Sequence, residues 1–175
     1  MTEICLKNGV LATSSVPSGA SIGIHEAYEL RDGDHKRYDG KGVLRAIKNI
    51  HEKIAKKITG KNITSVSNVD EVMIQLDGTR NKSKLGANAI LSVSMALTKA
   101  VALSHKMPLY VYLRKNYFSR IKKWRIPYCM MNIFNGGVHG GWNVDFQEYM
   151  IVPRYKTAKE QIRCGSEIFH ALKNI

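Results

Sequence analysis

Apolar and polar positions along the chain change texture twice. Residues 2–15 read as two short strands around Asn8-Gly9, a pair that supplies positive φ angles for a tight two-residue hairpin turn. Two strands alone are marginal in water, so this hairpin needs a third strand or a helix behind it. A loop rich in Ser and Gly follows at 14–23. Between Gly42 and Gly60 the positions Val43, Ile47, Ile50, Ile54 and Ile58 step by four, three, four and four. That spacing predicts one apolar face of a helix, with Gly60 as its stop. Asn68 and Glu71 form a capping-box pattern that opens a short helix through Leu76, ended by Asp77-Gly78. Residues 85–104 read as a third helix, rich in small side chains and stopped before Pro108.

Beyond a basic linker at 119–125 the pattern turns to apolar runs at 126–134 and 146–152, two strands joined by a polar loop that begins Asn135-Gly136-Gly137. Thr157 and Glu160 form a further capping box, and Ile162, Gly165, Ile168, Phe169 and Leu172 give the following helix its expected buried face. The chain stops at Ile175 in mid-pattern, as a truncated element would. The layout is an α+β domain over 1–118, a linker over 119–125 and the strand–strand–helix opening of something larger over 126–175. No internal repeat points to a solenoid.

Composition limits the class. With 175 residues, 44% hydrophobic and 23% charged, the chain is neither disordered nor collagen-like. The length holds one ordinary domain, or a small domain and part of another. Lys and Arg number 27 against 14 Asp and Glu, a net charge of +13, a field that attracts nucleic acids, anionic surfaces or phosphorylated substrates. The cations fall in short groups, at Lys56-Lys57, 80–84 and 120–125, with no continuous basic arm and no aromatic–lysine interleaving, so nucleic acid is not the expected partner. Cys5, Cys129 and Cys164 are an odd number without CxxC spacing, which suggests neither a disulfide framework nor a zinc knuckle. The polar, mixed stretch after Met1 is not the pattern expected of a signal peptide. The longest apolar stretch, 85–103, is broken by Asn88, Ser92, Ser94, Thr98 and Lys99, so no membrane span is expected. A cytoplasmic protein is the expectation.

The strong short motifs GxxxxGK[ST], HExxH, GxSxG and post-strand GxGxxG are all absent. Three longer segments carry the candidate chemistry. In VPSGASIGIHEAYELRDGDHKRYDGKGV, from Val16, the run Ser18-Gly19-Ala20-Ser21 is a hydroxyl-bearing loop able to lend oxygens to a cation or phosphate. Asp32 and Asp34 read as a solvated turn. In DGTRNKSKLGANAILSVSMA, from Asp77, Gly86, Ala87 and Ala89 permit close helix approach, while Asn81 and Ser83 can cap the helix start. In PYCMMNIFNGGVHGGWNVDFQEYMIVP, from Pro127, the Asn135-Gly136-Gly137 turn lets backbone approach a ligand, and His139 offers an imidazole near neutral pH. Gln147 and Glu148 open the next strand, where neighbours face opposite ways unless a bulge intervenes. Taken alone, His139 reads as a solvent-facing loop residue and Glu148 as a surface ion-pair partner. The other five histidines read as structural or solvated.

In order and spacing these three segments together resemble enolase, the glycolytic phosphopyruvate hydratase family, with departures at Ile22, Tyr28, Gly140 and Trp142. The resemblance implies an α+β amino-terminal capping domain followed by the ββα start of an incomplete enolase-type β/α (TIM) barrel. A complete barrel takes about 250 residues. It implies a lyase that dehydrates 2-phosphoglycerate to phosphoenolpyruvate in glycolysis and gluconeogenesis with Mg2+ as cofactor, working as a homodimer. By the same resemblance Ser18, Gly19, Ala20 and Ser21 form the mobile loop and Ser21 ligates the second magnesium. His139 and Gln147 contact substrate. Glu148 is the catalytic residue at the reacting hydroxyl, paired with a second glutamate that this chain lacks. The family's basic lysine, the carboxylates of its first magnesium and its phosphate-gripping arginine lie on later strands, and its SRGNPT strand lies earlier. The expectation is therefore an amino-terminal portion truncated at both ends and inactive alone. The alternative is a non-catalytic basic binding or scaffold protein for nucleic acid or an anionic surface.

Overall fold

A computed structural model describes residues 1–19, 23–62 and 65–175. They form two units, Met1–Ser119 and Arg120–Ile175.

In the first unit β1 (Thr2–Cys5) pairs antiparallel with β2 (Leu11–Ser14), Thr2 opposite Ser14 and Cys5 opposite Leu11. The connection differs from the expected two-residue turn. Gly9 alone takes a positive φ, 83°, and its N–H donates to the Leu6 carbonyl at 2.9 Å. Asn8 instead accepts the Val10 N–H on its side-chain oxygen at 3.2 Å. The strands are thus joined through a left-handed glycine at the end of the turn, the pattern of the longer hairpin loops.

The support behind the hairpin is α4 (Ala87–Ser104), whose Ser92 hydroxyl accepts from the Thr2 hydroxyl at 2.8 Å. Lys99 also donates to the Thr13 carbonyl at 3.2 Å. Among the described residues α4 is the one helix long and apolar enough to cross a membrane by length and composition. Here it is the central core helix: Ala89, Val93, Ala96, Leu97 and Ala100 are buried, and Ile54, Val66, Val69, Met73 and Leu85 belong to the same core.

The helix expected between Gly42 and Gly60 is interrupted. An α-helical stretch, α1 (Leu44–Asn49), passes through a π-helical turn (Ile50–Ile54) into α2 (Ala55–Ile58). The π turn carries one extra residue per turn and so rotates the face that follows it. Before it the buried positions are Ala46 and Asn49, and at its end Ile54, while Val43 and Ile47 are exposed. The regular apolar stripe therefore holds only for its second half. Asn49 is buried because its amide donates to the Lys84 and Leu85 carbonyls at 3.2 and 3.0 Å.

The next helix, α3 (Val66–Asp77), is capped three residues earlier than expected. Ser65 is the N-cap, its hydroxyl accepting from the Asn68 N–H at 3.2 Å. Its end is as expected, with Gly78 left-handed at φ 68°. After α4, Pro108 does more than stop a helix. It caps a further one, α5 (Leu109–Tyr117), which buries Tyr112. A proline lacks an N–H and has a fixed φ, so it suits a helix start as well as an end.

In the second unit β3 (Met131–Asn135) pairs antiparallel with β4 (Glu148–Ile151), with a bulge between Asn132 and Phe134. The first strand is shorter than the apolar run, and residues 126–130 lie outside it. On α6 (Ala158–Lys173) the Thr157 hydroxyl accepts the Glu160 N–H at 3.2 Å, the expected cap. Of the expected buried face only Gly165 is buried, together with Gln161, while Ile162, Ile168, Phe169 and Leu172 are exposed. Two short strands offer too little surface to cover a whole helical stripe.

Candidate functional site

The Ser/Gly loop is anchored at its near end by a polar network. Ser18 donates to Glu29 at 3.0 Å and accepts from Arg31 at 2.7 Å, and Arg31 also holds Glu29 at 2.7 Å and the Lys41 carbonyl at 2.6 Å. Ser18 and Gly19 are exposed. Ala20 and Ser21, and with Ser21 the expected magnesium ligand, lie outside the described residues.

The segment after the loop is laid across the start of α4. The Tyr28 N–H donates to the Asn81 carbonyl at 2.7 Å, the Tyr28 carbonyl accepts from Ala87 at 2.8 Å, and the Asn88 side chain takes both backbone groups of Leu30. Gly86 makes this approach possible, since its φ is 96° and a Cβ there would press on Leu30. The stretch from Asp77 thus acts as a platform that fixes the loop's far end. Asn81 and Ser83 do not cap α4, whose N-cap is Gly86 without a side-chain bond. The platform's hub is Asp77, 1% exposed, which accepts from the Leu85 N–H at 2.7 Å, the Thr79 N–H at 3.0 Å and the Thr79 hydroxyl. Burial opposes its charge, yet the hydrogen bonds from Thr79 and Leu85, with Lys82 nearby, hold its carboxyl below the usual value.

Asp32 is no solvated turn. Its two oxygens accept the N–H groups of Leu44 at 2.9 Å and Arg45 at 2.8 Å, closing the start of α1. The bond from Arg45 foremost, then that from Leu44 and the charges of Arg37 and Arg45, outweigh burial and lower its pKa. Asp34 accepts the Lys36 N–H at 3.0 Å within its own turn.

The candidate residues of the second unit lie at one end of the β3–β4 hairpin. Asn135 is directly opposite Glu148, and the Gly136 N–H donates to the Gln147 carbonyl at 2.9 Å. The Gly137 N–H continues to Val144 at 2.8 Å, and the Trp142 N–H returns to Gly137 at 2.8 Å. A Cβ on Gly136 would run into the Phe146 carbonyl, so the turn closes only with glycine there. Within it a helical turn, Gly137–Gly140, carries His139 exposed.

Which face carries Glu148 follows from the pairing. Residues opposite one another share a side, and alternate residues along a strand do too. Met131 meets Gly165 of α6, which puts Ile151 and Tyr149 on that helix side together with Phe134, whose ring lies tilted against that of Tyr149 with centroids 5.4 Å apart. Glu148, Met150, Asn132 and Asn135 therefore occupy the side away from the helix. The bulge brings Asn132 and Asn135 onto that side together, where they hydrogen-bond at 2.6 Å. The sequence pattern does not pair the two asparagines, because without the bulge residues three apart on a strand point opposite ways. Gln147 and Glu148 are exposed, and among the described residues no hydrogen bond or ion pair joins His139, Gln147 and Glu148. The hairpin brings them to one end without direct contact.

This combination of a capped platform and a glycine-closed hairpin can be compared with known proteins. Residues 1–113 match the model of the enolase N-terminal domain, and residues 123–175 match that of the enolase C-terminal TIM barrel domain. The chain belongs to the enolase family. The enolase of Malacoplasma penetrans (strain HF-2) is 49% identical over 175 residues, which are 99% of this chain and 39% of that enolase. That of Elusimicrobium minutum (strain Pei191) is 52% identical over 174 residues, 99% of this chain and 41% of that enolase. The chain thus spans about two-fifths of the length of these relatives. In enolase terms the first unit is the N-terminal domain, a hairpin with helices, and the second is a partial barrel segment. Each sheet among the described residues has two strands, and no closed barrel is formed.

Proposed function

We propose that this chain supplies the loop and hairpin portion of an enolase site, and that its 175 residues do not run the reaction by themselves. The proposed domains are a capping domain over 1–118, a linker over 119–125 and a barrel portion over 126–175. The reaction is dehydration of 2-phosphoglycerate to phosphoenolpyruvate, in which a proton leaves the carbon next to the carboxylate and hydroxide leaves the neighbouring carbon. Enolase-superfamily sites as a class use a Lys or His base with one or two magnesium ions.

The described residues do not make a magnesium site alone. Among the described residues no group of three or more His, Cys, Asp or Glu could hold a metal ion. Ser21 is proposed as one ligand, and a single hydroxyl is far from the six oxygens that magnesium takes. What this chain's own residues are proposed to do is bind and orient: Ser18 to Ser21 close over the site, His139 and Gln147 contact substrate, and Glu148 sits at the departing hydroxyl. The observation that carries this reading is the Asn135–Glu148 pairing beside the Gly136–Gln147 bond, which puts the His139 turn and Glu148 at the same end of one hairpin. Homodimerisation and a cytoplasmic, glycolytic setting belong to the same proposal.

Joining this chain to the remaining barrel of the Elusimicrobium minutum enolase tests the roles. The chimera is expected to turn over 2-phosphoglycerate, and Glu148→Gln or His139→Ala to lower kcat by about 10²–10⁴. Variants within threefold of the chimera would remove both residues from the site.

A further inference from the structure

The register of β3 and β4 bears on two asparagines that the proposed roles leave out. The Gly136 N–H donates to the Gln147 carbonyl at 2.9 Å, so these two residues are a hydrogen-bonded pair of the antiparallel ladder. Asn135 and Glu148, the next directly opposite residues, are then a pair of the other kind. Such a pair has no ladder bonds of its own, its Cα atoms are only about 4.5 Å apart, and its side chains stand together on one side of the sheet. Asn135 is fixed at two points. Its side-chain oxygen accepts from the Asn132 amide at 2.6 Å, an arrangement that the bulge between Asn132 and Phe134 permits. Its backbone carbonyl packs on the turn that carries His139, where a Cβ on Gly140 would lie 2.6 Å from that oxygen. With the oxygen of its side chain taken, the end that Asn135 can offer a neighbour is its NH2 group. An ionised carboxylate only accepts hydrogen bonds, so the NH2 of Asn135 and the carboxylate of Glu148 are complementary. Glu148 is exposed and makes no hydrogen bond among the described residues, and a change of its rotamer is what brings the two together.

We propose that Asn135 is a positioning residue for Glu148, and that Asn132 sets the orientation in which Asn135 acts. The proposal rests on the reading of Glu148 as the residue at the departing hydroxyl. The Asn135 NH2 donates to one carboxylate oxygen of Glu148 and leaves the other directed at the hydroxyl of 2-phosphoglycerate. Pinning one oxygen removes torsional freedom that the carboxylate would otherwise give up during the reaction. A group that acts this way, without touching substrate, raises kcat more than it tightens KM.

The chimera with the remaining enolase barrel reads this out. Asn135→Ala should lower kcat by about tenfold to a hundredfold and leave KM within about threefold. Asn132→Asp is the sharper variant. A carboxylate at position 132 accepts where the amide donates, so Asn135 turns its NH2 toward it and its oxygen toward Glu148. The kcat should then fall as in Asn135→Ala, whereas a merely structural pair would tolerate the change. In a Glu148→Gln background both changes should alter kcat by less than about threefold, because the group they position is gone. An active chimera that is sensitive to Glu148→Gln but keeps its kcat in Asn135→Ala overturns the inference alone. One that tolerates Glu148→Gln overturns the reading of Glu148 and the inference with it. The isotope-labelled 175-residue chain supplies a check that needs no turnover. The side-chain NH2 signal of Asn135, assigned by its loss in Asn135→Ala, should be displaced by Glu148→Gln and by Asn132→Asp. A signal unmoved by Glu148→Gln overturns the inference whatever the chimera does.

Discussion

Asn88 grips Leu30 by both backbone polar groups: its amide nitrogen donates to the Leu30 carbonyl at 3.0 Å and its amide oxygen accepts the Leu30 N–H at 3.2 Å. The two residues are 58 apart in sequence, so the pair joins the segment after the Ser/Gly loop to the core helix α4. Asn88→Ala leaves both Leu30 groups without these partners and should cost about 1–3 kcal/mol in urea unfolding. It should also raise amide exchange at 28–31 before it does so in α4. Equal protection in the variant would show that Asn88 does not hold this segment.

Asp77 makes a pH-dependent contribution. Its folded pKa is lowered from 3.8, so its stabilisation is fully present above that value and is lost as pH falls through the folded pKa. Asp77→Asn is expected to be less stable than the parent at pH 7, by about 1–3 kcal/mol. The gap between the two in denaturant melts should narrow as pH drops below 3.8. A gap independent of pH would mean that the charge on Asp77 is not what its hydrogen bonds stabilise.

The π turn yields an inversion. By the apolar stripe Ile47 belongs to the core and Asn49 to solvent, whereas Ile47 is 44% exposed and Asn49 is 8% exposed. Ile47→Gln should change stability by about 0.5 kcal/mol or less. Asn49→Ala should cost about 1–3 kcal/mol through the Lys84 and Leu85 carbonyls it leaves unpaired. The reverse order in thermal melts would restore the regular stripe.

At Gly165 α6 packs against Met131 of the hairpin. A Cβ there would overlap the Met131 sulfur. Gly165→Ala should therefore be neutral or destabilise the second unit by up to about 1 kcal/mol, since the Met131 side chain has to turn aside and offsets alanine's better helix propensity. In a Met131→Ala background the same change should become stabilising. Destabilisation in both backgrounds would place the conflict elsewhere.

These cases show how much the sequence discloses. The hairpin, the end of α3 at Gly78, the Thr157 cap and the order of elements were legible because each rests on short-range pattern or backbone chemistry. The three long segments carried the family for the same reason. What stayed hidden depends on tertiary contact. Asn49 is buried by carbonyls 35 and 36 residues away, and α5 lay behind a proline read only as a stop. The stripe on α6 was read as buried although the unit has too little partner surface to bury it. At the candidate site His139, Gln147 and Glu148 were picked out by resemblance, but the bulge that sets Asn132 and Asn135 on the Glu148 side is a property of pairing.

The central claim is that this chain is part of an enolase site and incomplete as a catalyst. Its most direct test is absorbance at the phosphoenolpyruvate band when the purified 175-residue chain, freed of host enolase, meets 2-phosphoglycerate and magnesium. No conversion above a protein-free control is the predicted result. Magnesium-dependent conversion that co-purifies with the chain and disappears in Glu148→Gln would contradict the account, because these residues would then hold a base and metal site of their own.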